Sequence, residues 1–170
     1  MPDLLASIEA SIPALRRYAR ALLRNSQDAD DLVHDVLVRA LDHMHGLRAD
    51  VPIRPWLFTI MHNLHVSWLR RARVRGNIVP AEQADDVQPG SQPTQETDLH
   101  CKETMRAFER LPLEQRQVLY LVSVEDLSYA ETATVLGIPI GTVMSRLSRG
   151  REQLRQMTGS EPPSALRRVK

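Results

Sequence analysis

LSYAETATVLGIPIGTVMSRLSRGREQL, residues 127–154, decides how this chain is read. Ser128 and Glu131 stand three residues apart ahead of an apolar run. That is the spacing of a capping box, in which the serine caps a helix and the glutamate reaches back to it. Gly137 follows Leu136 where the short helix should stop, because glycine takes the left-handed conformation at a helix end without a Cβ penalty. Ile138 and Pro139 turn the chain, and a longer helix is expected from Ile140 to about Met157. A short helix, a glycine turn and a long helix make a helix-turn-helix. In the second helix Val143, Leu147, Gly150 and Leu154 share an inward face. Thr142, Ser145, Arg146 and Arg149 share another, rotated by roughly 120° at 100° per residue. Short polar groups and arginines in the N-terminal half of such a helix suit base edges and phosphates in a major groove. A helical hairpin with a solvated polar face has the same period, but it gives no reason for cap, glycine turn and Gly-Thr-Val start to occur together.

Upstream of this unit the period is helical almost throughout. Leu4, Leu5, Ile8, Ile12, Leu15, Ala19 and Leu22 mark a first helix, which Pro13 kinks or splits. A second opens after Asn25 and Ser26, with Asp28, Asp30 and Asp31 in its early turns, where negative charge suits the helix dipole. Its apolar stripe is Leu32, Val33, Val36, Leu37, Ala40 and Leu41. Residues 46–54 read as a loop, and Pro55 is placed to begin a third helix whose stripe is Leu57, Ile60, Met61, Leu64 and Trp68. From Arg75 to about Asp98 the period collapses into Pro, Gly, Gln and acids. A stretch of this length without pattern is unusual inside a compact domain, so it marks a boundary. Helices resume near Leu99 to Arg110 and again from Leu113 to about Val124. The expectation is an all-α chain of two small helical domains: residues 1–75, a flexible acidic linker 76–98, a helix-turn-helix domain 99–158 and a disordered tail 159–170.

Charge follows the same division. The 170 residues carry a formal net charge of +1, but Met1–Arg75 holds +3, Gly76–Glu103 holds −5 and Thr104–Lys170 holds +3. Near-neutrality excludes a nonspecific polybasic coat, while the order of charge leaves two basic blocks free to meet an anionic partner. Twenty of the 22 basic residues are arginine, whose planar fork suits phosphate and base contacts. The single cysteine, Cys101, excludes an internal disulfide framework and makes a reducing, cytoplasmic setting the default. No stretch approaches the roughly 20 apolar residues of a bilayer span, so no membrane insertion is expected.

With these motifs in place the chain resembles bacterial sigma factors. LPLEQRQVL (111–119), LSYAETA (127–133) and LGIPIGTVMSRLSRGREQL (136–154) resemble sigma region 4, and the extracytoplasmic-function (ECF) class in particular. DADDLVHDVLVRAL (28–41) is similar to region 2.2, and RPWLFTIMHNL (54–64), followed by Arg70 and Arg71, to regions 2.3 and 2.4. The opening LRRYARAL (15–22) resembles the alphaproteobacterial general-stress subgroup. Two motifs in the right order with a spacer between them are far more specific than a helix-turn-helix alone.

The resemblance implies a promoter-directing subunit of RNA polymerase, stress-responsive and held by an anti-sigma factor. It places Asp31, His34 and Asp35 against core polymerase; His34 stands where Gln is usual and Asp35 where Glu is common. It places Asn63, Arg70 and Arg71, with Arg73 and Arg75 beside them, at the −10 element. Thr142, Ser145, Arg146 and Arg149 fall at the −35 element, with Met144 where Lys is common. The linker then threads the polymerase near the RNA exit path. Trp56, Phe58 and Trp68 could stack on bases, but Trp56 and Trp68 continue the apolar stripe and read better as core. The expected partners are core polymerase, promoter DNA and an anti-sigma factor, with the free chain a monomer.

Enzyme readings find little support. His62 with His65, and His43 with His45, lack the carboxylates or cysteines that would complete a metal set. Cys101 beside His100 shows no oriented base, and there is no glycine-rich phosphate cradle. Neither a catalytic residue nor a cofactor or metal site is expected. Two other classes stay open. A sigma mimic that sequesters an anti-sigma factor would share both motifs, whereas a plain helix-turn-helix repressor would leave residues 28–71 unexplained.

Overall fold

The computed structural model describes residues 2–23, 25–48, 50–74 and 95–159. Among these described residues seven α-helices run in chain order: α1 Pro2–Leu22, α2 Ser26–His43, α3 Ile53–Val74, α4 Gln95–Glu109, α5 Leu113–Ser123, α6 Tyr129–Leu136 and α7 Ile140–Thr158, with a 3₁₀ turn at Met44–Gly46. The first three form one bundle and the last four another. The chain expected to link them, 76–98, lies outside the described residues up to 94, as do Arg75 and residues 160–170 of the tail. From Gln95 the chain is already helical, so α4 begins four residues before the expected start at Leu99.

α1 is continuous through Pro13 rather than split there. Its inward face carries Ile8, Leu15, Tyr18, Ala19 and Leu22, and it packs on α2 and α3 through Val33, Val36, Leu57 and Met61. Asn25 caps α2, its side-chain oxygen accepting from the N–H groups of Gln27 at 2.8 Å and Asp28 at 3.2 Å. α3 starts at Ile53, two residues earlier than expected, with Pro55 still in the first turn, where a missing N–H costs nothing.

The helix-turn-helix forms as its residues dictate. Ser128 Oγ accepts from the Glu131 N–H at 3.1 Å, and Glu131 Oε2 accepts from the Ser128 N–H at 2.8 Å. These hydrogen bonds from the Ser128 hydroxyl and backbone hold the Glu131 carboxyl below its ordinary pKa. Gly137 takes φ 63°, and the Ile138 N–H returns to the Ala133 carbonyl at 3.1 Å, completing the left-handed stop. α7 then crosses α5 at very close approach, since a Cβ at Gly150 would lie 2.6 Å from Leu119 Cδ1.

The two bundles are packed against each other, and one continuous set of buried residues runs through both. α6 lies on α3, and α5 lies on α1. At the seam Tyr18, fully buried, meets Phe58 edge-on at 5.3 Å and Tyr120 of α5 at 5.3 Å; Tyr120 in turn meets Phe108 of α4 at 6.2 Å.

Candidate functional site

The polar face of α7 is built by helical spacing. Val143, Leu147 and Gly150 are buried against α5, which turns Ser145 and Arg149 to solvent and leaves Thr142 half-buried. Met144 and Ser148 widen the same exposed face. Arg146, on the same face, is paired: its Nη2 lies 2.7 Å from Glu114 Oε2 on the first turn of α5, and only 24% of its side chain is exposed. Glu114 went unnoticed in the sequence because nothing local links it to a residue 32 positions later.

On α2, Asp31, His34 and Asp35 are all exposed, the expected disposition for a docking face. Gln27 Nε2 donates to Asp31 Oδ1 at 3.1 Å, steadying one of the acids. Asp28, Asp31 and Asp35 line one wall of a groove of about 390 Å³, with His65, Trp68 and Arg71 of α3 opposite.

That groove divides the residues expected to meet DNA. Asn63 and Arg70, two helical turns apart, share an exposed face of α3 with Ser67. Arg71 is carried round the helix toward α2, where its Nε donates to the Ser67 carbonyl at 3.3 Å and its side chain lines the acidic groove. Arg73 is exposed on the last described turn. The aromatic residues go mainly to packing. Phe58 is 1% exposed against Tyr18, Trp56 packs on the core, and Trp68 stacks on His65 with ring centres 6.4 Å apart.

His65 is buried with its Nδ1 unpartnered, and its pKa falls to about 4 through burial first, then through His62 and Arg116. Burial also lowers His62. Among the described residues no three His, Cys, Asp or Glu side chains gather as metal ligands, and no helix is long and apolar enough to cross a membrane. Cys101 is exposed.

The seam joins residues that no sequence signal linked to one another. Glu125, in the α5–α6 turn, has a fully buried carboxylate held by two arginines of the first bundle: Arg54 Nη2 at 2.6 Å and Arg17 Nη2 at 3.4 Å. Asp126, the next residue, takes φ 54°, a left-handed conformation that Asp tolerates. Burial raises the Tyr120 pKa and the nearby Glu125 carboxylate adds to it, while Arg17 acts in the opposite direction. Taking a carboxylate out of water costs several kcal/mol, which the paired guanidiniums offset.

A capped helix-turn-helix with an arginine-bearing outer face, joined to a three-helix bundle with an exposed acidic face, defines a two-domain helical transcription protein. Comparison with known families agrees: residues 8–62 match the model described as the Sigma2 domain of PhyR, and residues 101–154 match Sigma-70, region 4. The ECF RNA polymerase sigma factor EcfG of Rhodopseudomonas palustris is 36% identical over 147 residues, covering 86% of this chain and 80% of that protein. The ECF factor SigM of Mycobacterium tuberculosis is 35% identical over 145 residues, covering 85% and 71% respectively. Among solved structures, the sigma factor RpoE of Bartonella quintana, crystallised with the anti-sigma factor NepR, superposes with a TM-score of 0.81 at 26% identity, covering 95% of this chain and all of that one. The chain belongs to the ECF class of RNA polymerase sigma factors.

Proposed function

We propose that the two bundles divide promoter recognition between them. The first, residues 1–75, docks on core RNA polymerase through Asp31, His34 and Asp35, and holds the opened −10 element through Asn63, Arg70 and Arg71. The second, residues 99–158, reads the −35 duplex through Thr142, Ser145, Arg146 and Arg149. The polymerase supplies the catalysis, and this chain acts in the cytoplasm as a specificity subunit, not as an enzyme. The observation that carries this reading is the exposed face of α7, presented by a fully formed capping box and glycine turn, on a chain whose α2 presents a separate acidic face. Arginines there give affinity through phosphate contacts and specificity through base edges.

Likeness to a sigma factor crystallised with the anti-sigma factor NepR, and to the Sigma2 domain of PhyR, supports control by an anti-sigma protein of that kind and a place in the alphaproteobacterial stress subgroup. The free chain is read as a monomer.

The test is transcription by core polymerase supplied with this chain on fragmented genomic DNA. Initiation at a defined set of promoters is expected. Charge reversal at Asp31 with Asp35 should weaken core binding about fivefold or more while leaving −35 duplex binding unchanged, as expected for charges that steer one interface. Core binding without promoter-dependent transcripts would instead establish the sigma mimic.

A further inference from the structure

The outer face of α7 is not uniformly polar. Ile140, Met144 and Ser148 follow one another at four-residue spacing along one ridge, and Gly141, Ser145 and Arg149 form the next, about 100° round the helix. All six are exposed. Ile140 and Met144 leave 44% and 49% of their surface open, and neither joins the apolar side chains packed against the core, which on this helix include Leu154. Gly141 adds no side chain beside them, and a Cβ there would meet nothing within 4 Å. Two apolar side chains therefore stand clear of the fold, next to the serine and arginine proposed to meet the −35 duplex.

On the reading that α7 meets the −35 element, we propose that Met144, with Ile140 one turn before it, reads the C5-methyl groups of thymine there. The chain then makes a sequence-dependent apolar contact at a position where a basic side chain would take a phosphate of any sequence.

The chemistry of the groove leaves one partner of that kind. Base edges in the major groove offer hydrogen-bond donors and acceptors, and the thymine methyl is their one apolar group. A sugar–phosphate strand laid against Met144 and Ile140 would lose water and gain no hydrogen bond. A thymine methyl leaves water favourably at the same place. The N-terminal half of a recognition helix is the part that reaches base edges, and Ile140 and Met144 occupy the first two turns of α7. They are about 6 Å apart along the helix at 1.5 Å per residue, close to two base steps of about 3.4 Å, so they cover one or two neighbouring thymines. The flexible, polarisable thioether suits a contact that must settle against a single methyl. Arg149, on the adjoining ridge, supplies the attraction that draws this face to an anionic duplex.

The experiment uses core polymerase loaded with the full chain, and a double-stranded fragment carrying the strongest promoter mapped on genomic DNA. Each −35 thymine, on either strand, is replaced in turn by deoxyuridine, which lacks only the methyl. One or two replacements should weaken binding about three- to fourfold, the effect of one buried methyl, and the rest should leave it unchanged. Met144→Lys should bind native and substituted fragments alike, and its plot of log affinity against log salt should be steeper by about one. Met144→Leu, still apolar, should keep the methyl dependence. Met144 lies outside the core, so the circular dichroism of the three chains should coincide. Native binding unaffected by every replacement would overturn the inference. So would an equal loss in Met144→Lys, which would give the methyl to another residue, or a −35 element with no thymine on either strand. If Arg149→Glu still weakens promoter binding in those cases, the assignment of α7 to the −35 element stands and the methyl contact alone has failed. Binding indifferent both to Arg149→Glu and to the −35 sequence would mean that the assignment of α7 itself has failed, and the methyl contact with it.

Discussion

Arg146 Nη2 lies 2.7 Å from Glu114 Oε2, so an arginine on the helix proposed to face DNA is already engaged by a carboxylate of its own bundle. Glu114 sits in the first turn of α5, where a negative charge also suits the helix dipole. The pair is partly exposed, with Glu114 66% and Arg146 24% open to solvent, and such contacts contribute at most about 1 kcal/mol to stability. Its more important effect falls on the DNA contact proposed for Arg146.

A free guanidinium takes any phosphate, whereas one held by a carboxylate is restrained in direction and partly neutralised. Glu114→Ala should therefore raise affinity for unrelated duplex by about two- to fivefold and narrow the ratio between matched and scrambled −35 sites. Arg146→Ala should cost about 1–3 kcal/mol of discrimination at the base it reads. Fluorescence anisotropy on both duplexes over a range of salt concentrations measures each effect. An unchanged ratio for Glu114→Ala would mean that the pair is only structural.

His65 should make stability depend on pH. Its folded pKa of about 4 lies below the ordinary 6.5, chiefly through burial, with His62 and Arg116 acting in the same direction. The folded chain holds the imidazole neutral while the unfolded chain takes up a proton. The contribution is full above about pH 6.5, declines as the pH falls toward about 4, and is absent below that. A shift of this size corresponds to about 3 kcal/mol. Urea unfolding of the native chain and of His65→Leu between pH 4 and 7.5 should show a shallower pH slope in the variant. Coincident slopes would show that the ring is not desolvated.

Gly150 is needed for close approach rather than for an unusual φ, since it lies inside α7. A Cβ there would meet Leu119 Cδ1 at 2.6 Å and Cγ at 3.3 Å. Gly150→Val adds two further carbons against a buried leucine and should lower stability by about 1–3 kcal/mol. Thermal unfolding followed by circular dichroism should show the loss, and −35 binding should fall with the folded fraction.

Most of the fold was legible because its signals are local. The capping box at Ser128 and Glu131, the stop at Gly137 and the buried set Val143, Leu147 and Gly150 need only nearby residues to be recognised. Pro13 left two local readings open, a kink or a break, and the continuous α1 excludes the break. The start of α4 was missed because Gln95–Asp98 resembles the polar spacer before it. In the candidate site, Asp31, His34, Asp35, Asn63, Arg70, Ser145 and Arg149 are exposed, whereas Arg71 turns into the acidic groove and Arg146 is paired.

Periodicity, caps and charge order were enough to specify the helices of the described residues and most of the faces they turn to solvent, because each depends on residues within a turn or two of one another. The closed seam could not be found that way. Arg17, Arg54 and Glu125 come from three separate elements, and a lone acid in a turn carries no mark of the cations it will meet. Whether Glu125 is solvated or clasped depends on how two already folded bundles dock. That choice is made by long-range burial and charge pairing, which only the tertiary structure brings together.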